Sequence, residues 1–219
     1  MRLQRKRCMT HFFIAVEGVI GVGKTTLARL LQPVFDAELV LEIVEENPFL
    51  SDFYQDRAQY AFQTQIFFLL SRFRQMQVSL PEMLTRTNVI SDYILAKDRI
   101  FAQLTLTADE LDMHRRLFPI LAARLPQPDL VVYLHASTDA LMERIAQRDR
   151  PFERSMSRQY IDDLRVAYDQ VFASYRDAQL LTIETDSLNV VRRPEHLGQI
   201  AERIRAALNI GEFQLNFRF

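Results

Sequence analysis

The 219-residue chain is poor in several residue types, and each shortage removes a class of answer. Its single cysteine, Cys8, leaves no intramolecular disulfide and no multi-cysteine zinc site. Four scattered histidines add no metal-ligand spacing. No apolar run approaches the roughly 20 residues of a membrane-spanning helix. Neither sign of charge dominates: 27 basic minus 28 acidic residues leaves −1. That balance speaks against a strongly basic nucleic-acid binder and against an acidic disordered chain. The first residues, Met1-Arg2-Leu3-Gln4-Arg5-Lys6-Arg7, are basic, but no signal-like apolar stretch and cleavage site follow. The expectation is a cytoplasmic protein without a nucleic-acid or membrane partner. Residues 1–11 are expected to be a disordered basic extension, with Met9 an alternative start.

Glycine and lysine are the scarcest informative residues. There are five glycines, and three lie between positions 18 and 23. There are three lysines (Lys6, Lys24 and Lys97), and Lys24 directly follows that cluster. Glycine concentrated in one place marks backbone that side chains would obstruct. The remaining composition, 48% hydrophobic and 25% charged, is that of a globular domain, and 25.7 kDa can bury one sizeable core.

The hydrophobic pattern alternates strands and helices. Phe12–Glu17, Leu39–Val44, Asn88–Ser91, Leu130–Leu134 and Leu180–Thr185 read as strands. Helices are expected after the glycine cluster, over Asp56–Gln77, from the capping box Thr107-Ala108-Asp109-Glu110 to about Ala123, and over 137–148, 157–175 and 194–208. This order predicts an α/β domain over 12–209 with a parallel sheet of about five strands, flanked by helices. The tail, 210–219, fits no element.

Gly18-Val19-Ile20-Gly21-Val22-Gly23-Lys24-Thr25 fits G-x-x-x-x-G-K-[ST] at every fixed position. It sits between a predicted strand and a predicted helix, the context the motif requires. Backbone from Gly18 through Gly21, Val22 and Gly23 to Thr26 is expected to cradle phosphates, helped by the helix N-terminus. Lys24 would reach the outer phosphates, and Thr25 would hold Mg²⁺. The bland alternative is a chance glycine-rich turn.

This loop serves GTPases, motor ATPases and small-molecule kinases alike. No N-K-x-D motif reads guanine here, and no apolar strand ends in the Asp-Glu pair of ATPase machines. Five arginines between 144 and 158 face only Asp149 and Glu153, a local +3. Such a segment can close over phosphates, neutralise charge and exclude water. Its bland alternative is a solvated helix face.

Further stretches carry a resemblance. They are Glu42-Ile-Val-Glu-Glu-Asn-Pro-Phe-Leu-Ser-Asp-Phe-Tyr54, Tyr60-Ala-Phe-Gln-Thr-Gln-Ile-Phe-Phe-Leu-Leu-Ser-Arg72, Asp92-Tyr-Ile-Leu-Ala-Lys-Asp98 and Arg144–Glu153. Over about Phe13–Ala207 the chain resembles the deoxynucleoside kinase family, and within it the bacterial deoxyguanosine and deoxyadenosine kinases. The resemblance implies a P-loop kinase with an Arg-rich lid near 148–157. It implies ATP as phosphoryl donor, Mg²⁺ as cofactor, a deoxynucleoside acceptor and a homodimer formed through two helices. Deoxyguanosine is the favoured acceptor, then deoxyadenosine, then deoxycytidine. The rival readings are a nucleoside monophosphate kinase and a non-catalytic nucleotide-binding subunit.

Residue by residue, the resemblance makes Glu42 the general base for the sugar 5′-hydroxyl. The family's Glu-Pro-Val is Glu42-Ile43-Val44 here, which leaves Glu45 and Glu46 as rivals. Asp92 would help place Mg²⁺ opposite Thr25. The family's next residue is an arginine that braces the base; here it is Tyr93, and a lid arginine is expected to compensate. Gln65 would read the nucleobase edge, with Gln63 its rival, and Arg72 would pair with Asp98 over the base. Tyr54 and Glu153 match the pair on the sugar 3′-hydroxyl. Arg144, Arg148 and Arg150 match the lid that grips the transferring phosphoryl group. Asp186–Val191 falls where the family wraps the donor adenine.

Overall fold

The computed structural model describes residues 11–210. Five strands form one all-parallel sheet: β1 (Phe13–Gly18), β2 (Ala37–Val40), β3 (Asn88–Ser91), β4 (Leu130–His135) and β5 (Gln179–Glu184). Their spatial order is β2-β3-β1-β4-β5. β1, β3 and β4 are almost wholly buried, and β1 and β4 read as largely apolar runs, as strands covered on both faces do. Among the described residues eight α-helices accompany them: α1 (Lys24–Phe35), α2 (Leu50–Gln55), α3 (Arg57–Arg86), α4 (Lys97–Thr105), α5 (Ala108–Ala122), α6 (Thr138–Arg148), α7 (Arg158–Ala173) and, after the last strand, α8 (Pro194–Leu208). α1 packs with α8, while α3, α4, α5 and α7 pack among themselves as a second layer.

Register places the strand ends together. Val40 lies beside Ser91, Gly18 beside Leu134 and His135 beside Glu184. The chain segments leaving β1, β2, β3 and β5 therefore open at one edge. In an open parallel sheet this edge is where ligands bind, at the point where strand order reverses.

The structure corrects four sequence expectations. The second strand ends at Val40, not Val44, so Glu42 lies in the following loop. Its neighbour β3 stops at Ser91, and Asp92 then turns its backbone N–H to Val40 O (3.3 Å) and its carboxylate to Glu42 N (2.8 Å). Residues 41–44 thus have no strand beside them to pair with, although Leu41, Ile43 and Val44 are apolar. The long helix runs to Arg86, through Pro81, because buried Met76 and Leu80 keep its apolar face on the core across the lost hydrogen bond. The short helices α2 and α4 were not anticipated. Their few residues carry too little periodicity to distinguish a helix from a loop. The extension before residue 11 and the tail after 210 lie outside the described residues.

Candidate functional site

The glycine loop closes between β1 and α1. Gly21 and Gly23 have φ of 85° and 103°, a region that residues with a Cβ rarely adopt. Their needs differ. A Cβ on Gly21 would lie 2.7 Å from Ile145 Cγ1 and 3.0 Å from Leu141 O, both on α6. A Cβ on Gly23 would meet nothing within 4 Å, so only its backbone angle demands glycine. Gly21→Ala is accordingly expected to destabilise the protein by about 2 kcal/mol. The check is a thermal melt, with a fall in midpoint of about 4–8 °C.

Gly23 caps α1 without a side chain, so the first-turn N–H groups face the loop. Lys24 Nζ donates to Gly18 O (2.8 Å) and Val19 O (3.1 Å), folding back over the loop. Burial, and then the charge of Lys97, hold the Lys24 ammonium down at about 8. Thr26 is exposed beside it in the first turn, and Val22 is buried beneath the loop.

Beneath the loop lies Glu17, fully buried in β1. Its carboxylate accepts from Gly18 N (2.8 Å), Ile94 N (3.0 Å) and the Tyr168 hydroxyl (3.2 Å). Burial pushes its pKa up, against the charges of Lys97 and Lys24. Glu17 ties the glycine loop to the loop that follows β3.

That second loop begins with Asp92. One carboxylate oxygen accepts the Thr25 hydroxyl and the other the backbone N–H of Glu42 (2.8 Å). Thr25 and Asp92 offer hard oxygen donors in direct contact. Among the described residues there is no cluster of three or more metal-ligating side chains. This donor set fits Mg²⁺, which keeps several waters and completes its shell with nucleotide phosphate.

Glu42 stands between two cations. Arg72 Nε donates to its Oε1 (2.7 Å), and Lys97 Nζ donates to its Oε2 (2.7 Å). The side chains of Arg72 and Lys97 are each 6% exposed and that of Glu42 9%. Burial alone would push the Glu42 carboxyl up, but Arg72 and Lys97 overcome it and hold it well below the usual carboxylate range. Glu45 and Glu46 are exposed, so among the three only Glu42 occupies the buried crevice.

Arg72 also donates from Nη1 to Asp98 Oδ1 (2.6 Å), while Asp98 Oδ2 is buried without a partner. Burial pushes the Asp98 carboxyl up to about 6 despite Arg72. Gln65, two turns before Arg72 on α3, is 2% exposed, whereas Gln63 is exposed. Gln65 and Arg72 are thus both buried on α3, as the seven-residue spacing predicts, and Arg72 joins Glu42 to Asp98.

The third group is arginine-rich. Arg144 on α6 donates to Val22 O (3.3 Å), Thr185 Oγ1 (3.0 Å) and Thr185 O (2.6 Å), joining the glycine loop to the end of β5. The adjacent Asp186 accepts from Ser137 N (2.8 Å). Arg148 ends α6 and forks onto Glu153 (2.5 and 2.6 Å), which is buried in a 3₁₀ turn, Pro151–Glu153. Arg150 reaches Glu45 at 3.4 Å. Phe152 of this turn stacks on Tyr54 at 6.1 Å, bringing Tyr54 and Glu153 to one side of the crevice. Arg148 and Arg150 therefore engage Glu153 and Glu45, while the cations on Glu42 are Arg72 and Lys97. The Tyr93 hydroxyl donates instead to Gln75 Oε1 (2.7 Å), whose amide donates to Leu41 O (2.9 Å).

Two participants escaped the sequence reading. Lys97 had a signal: with 24 arginines in the chain, a lysine between Asp92 and Asp98 is an exception. Gln75 had none.

Comparison with known proteins points the same way. The chain is 35% identical to the deoxyguanosine kinase of Bacillus subtilis over 198 residues, covering 88% of this chain and 96% of that one. It is 34% identical to the deoxyadenosine kinase of Dictyostelium discoideum, covering 75% and 68%. In fold it is similar to the deoxyadenosine kinase of M. mycoides, with a TM-score of 0.77, 24% identity and coverage of 89% and 99%. The deoxynucleoside kinase family profile matches residues 14–209, a span that contains the glycine loop, the Glu42–Arg72–Asp98 cluster and the arginine segment, and the chain is a member of that family.

Proposed function

We propose that the protein transfers the γ-phosphoryl group of ATP to the 5′-hydroxyl of a deoxynucleoside, with deoxyguanosine preferred, in nucleotide salvage. The observation that carries this reading is the buried Glu42 carboxylate. It lies between a phosphate-type loop and the Arg72–Asp98 pair, linked to the loop through Asp92 and Thr25. A donor site and an acceptor site then meet at one carboxylate. The preference for deoxyguanosine rests on the Bacillus subtilis relative and on Asp92-Tyr93 in place of Asp-Arg-Ser.

In this reading the glycine-loop amides and Lys24 hold the donor phosphates. Thr25 and Asp92 would hold Mg²⁺, which supplies charge neutralisation on those phosphates when bound. Glu42 accepts the 5′-hydroxyl proton and aims that oxygen in line with the γ-phosphorus. Gln65, Arg72 and Asp98 bind the base. Tyr54 and Glu153 bind the 3′-hydroxyl. Arg144, Arg148 and Arg150 stabilise charge on the transferring group, and for the last two that requires release from Glu153 and Glu45. Asp186 borders the adenine.

The test is phosphoryl transfer from ATP with Mg²⁺ to four deoxynucleosides, the matching ribonucleosides and the deoxynucleoside monophosphates. Turnover highest with deoxyguanosine is expected. Activity only on monophosphates would establish the rival kinase class, and no turnover with any acceptor the non-catalytic one.

Two further outcomes are expected. Burial holds the Lys24 ammonium down at about 8, and bound phosphates favour its charged form. ATP binding at pH 8 should then take up about 0.5 proton, falling toward none at pH 6.5. Calorimetry in buffers of different ionisation enthalpy measures this. A homodimer would cover the exposed Leu70 and Val78 on α3 and Met113 and Ile120 on α5. Sedimentation should show a dimer that Val78→Glu weakens.

A further inference from the structure

The chain lacks a cation at Tyr93, yet Glu42 has two. Tyr93 is fully buried, and its hydroxyl is committed to Gln75. The charge reaching Glu42 Oε2 comes from Lys97, the first residue of α4. That position is electrostatically unfavourable for a cation. A helix N-terminus carries partial positive charge, and no solvent screens this ammonium. Lys24 is a like charge close enough to be lowered by it. Placing a lysine there makes sense only if the neighbouring carboxylates require it. Those carboxylates are Glu42, in direct contact, and Glu17, whose Oε2 anchors Ile94, while Lys97 N in turn donates to Ile94 O (3.2 Å). Arg72 cannot do the work alone, because it divides its guanidinium between Glu42 and Asp98. Each oxygen of Glu42 thus has its own cation: Oε1 has Arg72 and Oε2 has Lys97.

We propose that Lys97 is the positioning residue for Glu42, fixing the carboxylate's orientation from the start of α4 in place of a cation at position 93. This rests on the deoxynucleoside kinase reading above, in which Glu42 meets the 5′-hydroxyl. Lys97 acts through Glu42. Its amine is aimed at the carboxylate, and the Phe101 ring lies 5.6 Å from Nζ. Three consequences distinguish this from a general role in stability. Loss of the charge should lower kcat while leaving the KM for deoxynucleoside and the affinity for ATP nearly unchanged. Arginine should substitute, because it keeps the charge and the donor. The effect should disappear where Glu42 is already neutral.

The experiment compares wild type, Lys97→Met, Lys97→Gln, Lys97→Arg, Glu42→Gln and the double variant Lys97→Met/Glu42→Gln. Steady-state kinetics use the best acceptor from the panel, and ADP binding and melting temperature are measured on each protein. We expect kcat to fall about 30–100-fold in Lys97→Met and Lys97→Gln. KM and ADP affinity should stay within about threefold, and Lys97→Arg should recover to within about fivefold of wild type. In the Glu42→Gln background, Lys97→Met should cost less than about threefold more. Should Lys97→Met fail to fold, Lys97→Gln, which keeps a hydrogen-bond donor, carries the comparison. The proposal is overturned if Lys97→Met and Lys97→Gln keep wild-type kcat, if they act equally in both Glu42 backgrounds, or if Lys97→Arg is as impaired as Lys97→Met. Failure of the functional reading is distinct, since wild type itself would then phosphorylate no deoxynucleoside.

Discussion

Glu42→Gln should lower kcat by about 10²–10³-fold and leave the deoxynucleoside KM within a few-fold. Glutamine keeps an acceptor oxygen and the shape of the side chain, but it cannot take the hydroxyl proton. The loss is expected at the lower end for acid–base catalysis. A carboxylate held by Arg72 and Lys97 is strongly ionised and therefore a weak base, and phosphoryl transfer asks little activation of its nucleophile. In the proposed reading, the larger part of its contribution is aiming the oxygen. The same substitution has a structural cost. Arg72 and Lys97 would share only Asp98 and the more distant Glu17, leaving buried positive charge uncompensated. That should cost about 3 kcal/mol and lower the melting midpoint by about 6–12 °C. Kinetics at a temperature where both proteins are folded separates the two effects. Undiminished kcat would remove Glu42 from the chemistry, and Glu45 and Glu46 are too exposed to inherit the role.

The legible parts of this molecule are those where local sequence determines structure. The glycine loop could be read because its backbone angles exclude side chains, so the residue type is dictated by geometry. The pairing of Gln65 with Arg72 on one helix face followed from helical periodicity alone, and burial distinguishes Gln65 from Gln63. Glu42 could be named only through family resemblance. The apolar run around it suggested a strand, and the reason it is a loop lies 50 residues away in Asp92. Lys97 shows the opposite limit. Its contact with Glu42 spans 55 residues and depends on a two-turn helix that periodicity cannot resolve. The resemblance directed attention to position 93 for the missing charge. The structure supplies it four residues later, because the Tyr93 side chain turns toward Gln75 on α3 and the start of α4 turns toward Glu42.

Asp92→Asn should raise the Mg²⁺ concentration for half-maximal activity by about 10–100-fold while leaving the fold close to wild type. The reason is that Asp92 has two separable duties. Its structural duty is to accept the Glu42 N–H at 2.8 Å, fixing the chain where β2 gives way to the loop. An asparagine carbonyl oxygen accepts that bond equally well, and its amide can donate to the Thr25 oxygen on the other side. The second duty needs charge. Thr25 Oγ1 and Asp92 Oδ2 meet directly, and in the proposed reading a divalent cation bound there would be held by the carboxylate's negative charge. Asparagine removes that charge and leaves the geometry. Titrating Mg²⁺ at saturating ATP should therefore show activity in Asp92→Asn recovering toward wild type as the metal is raised, with a melting midpoint within about 3 °C. Asp92→Ala loses both duties and should not recover at any Mg²⁺ concentration, because the Glu42 backbone is released along with the metal. If the two variants respond alike to Mg²⁺, Asp92 serves only as a brace for the Glu42 loop, and Thr25 meets the cation without it.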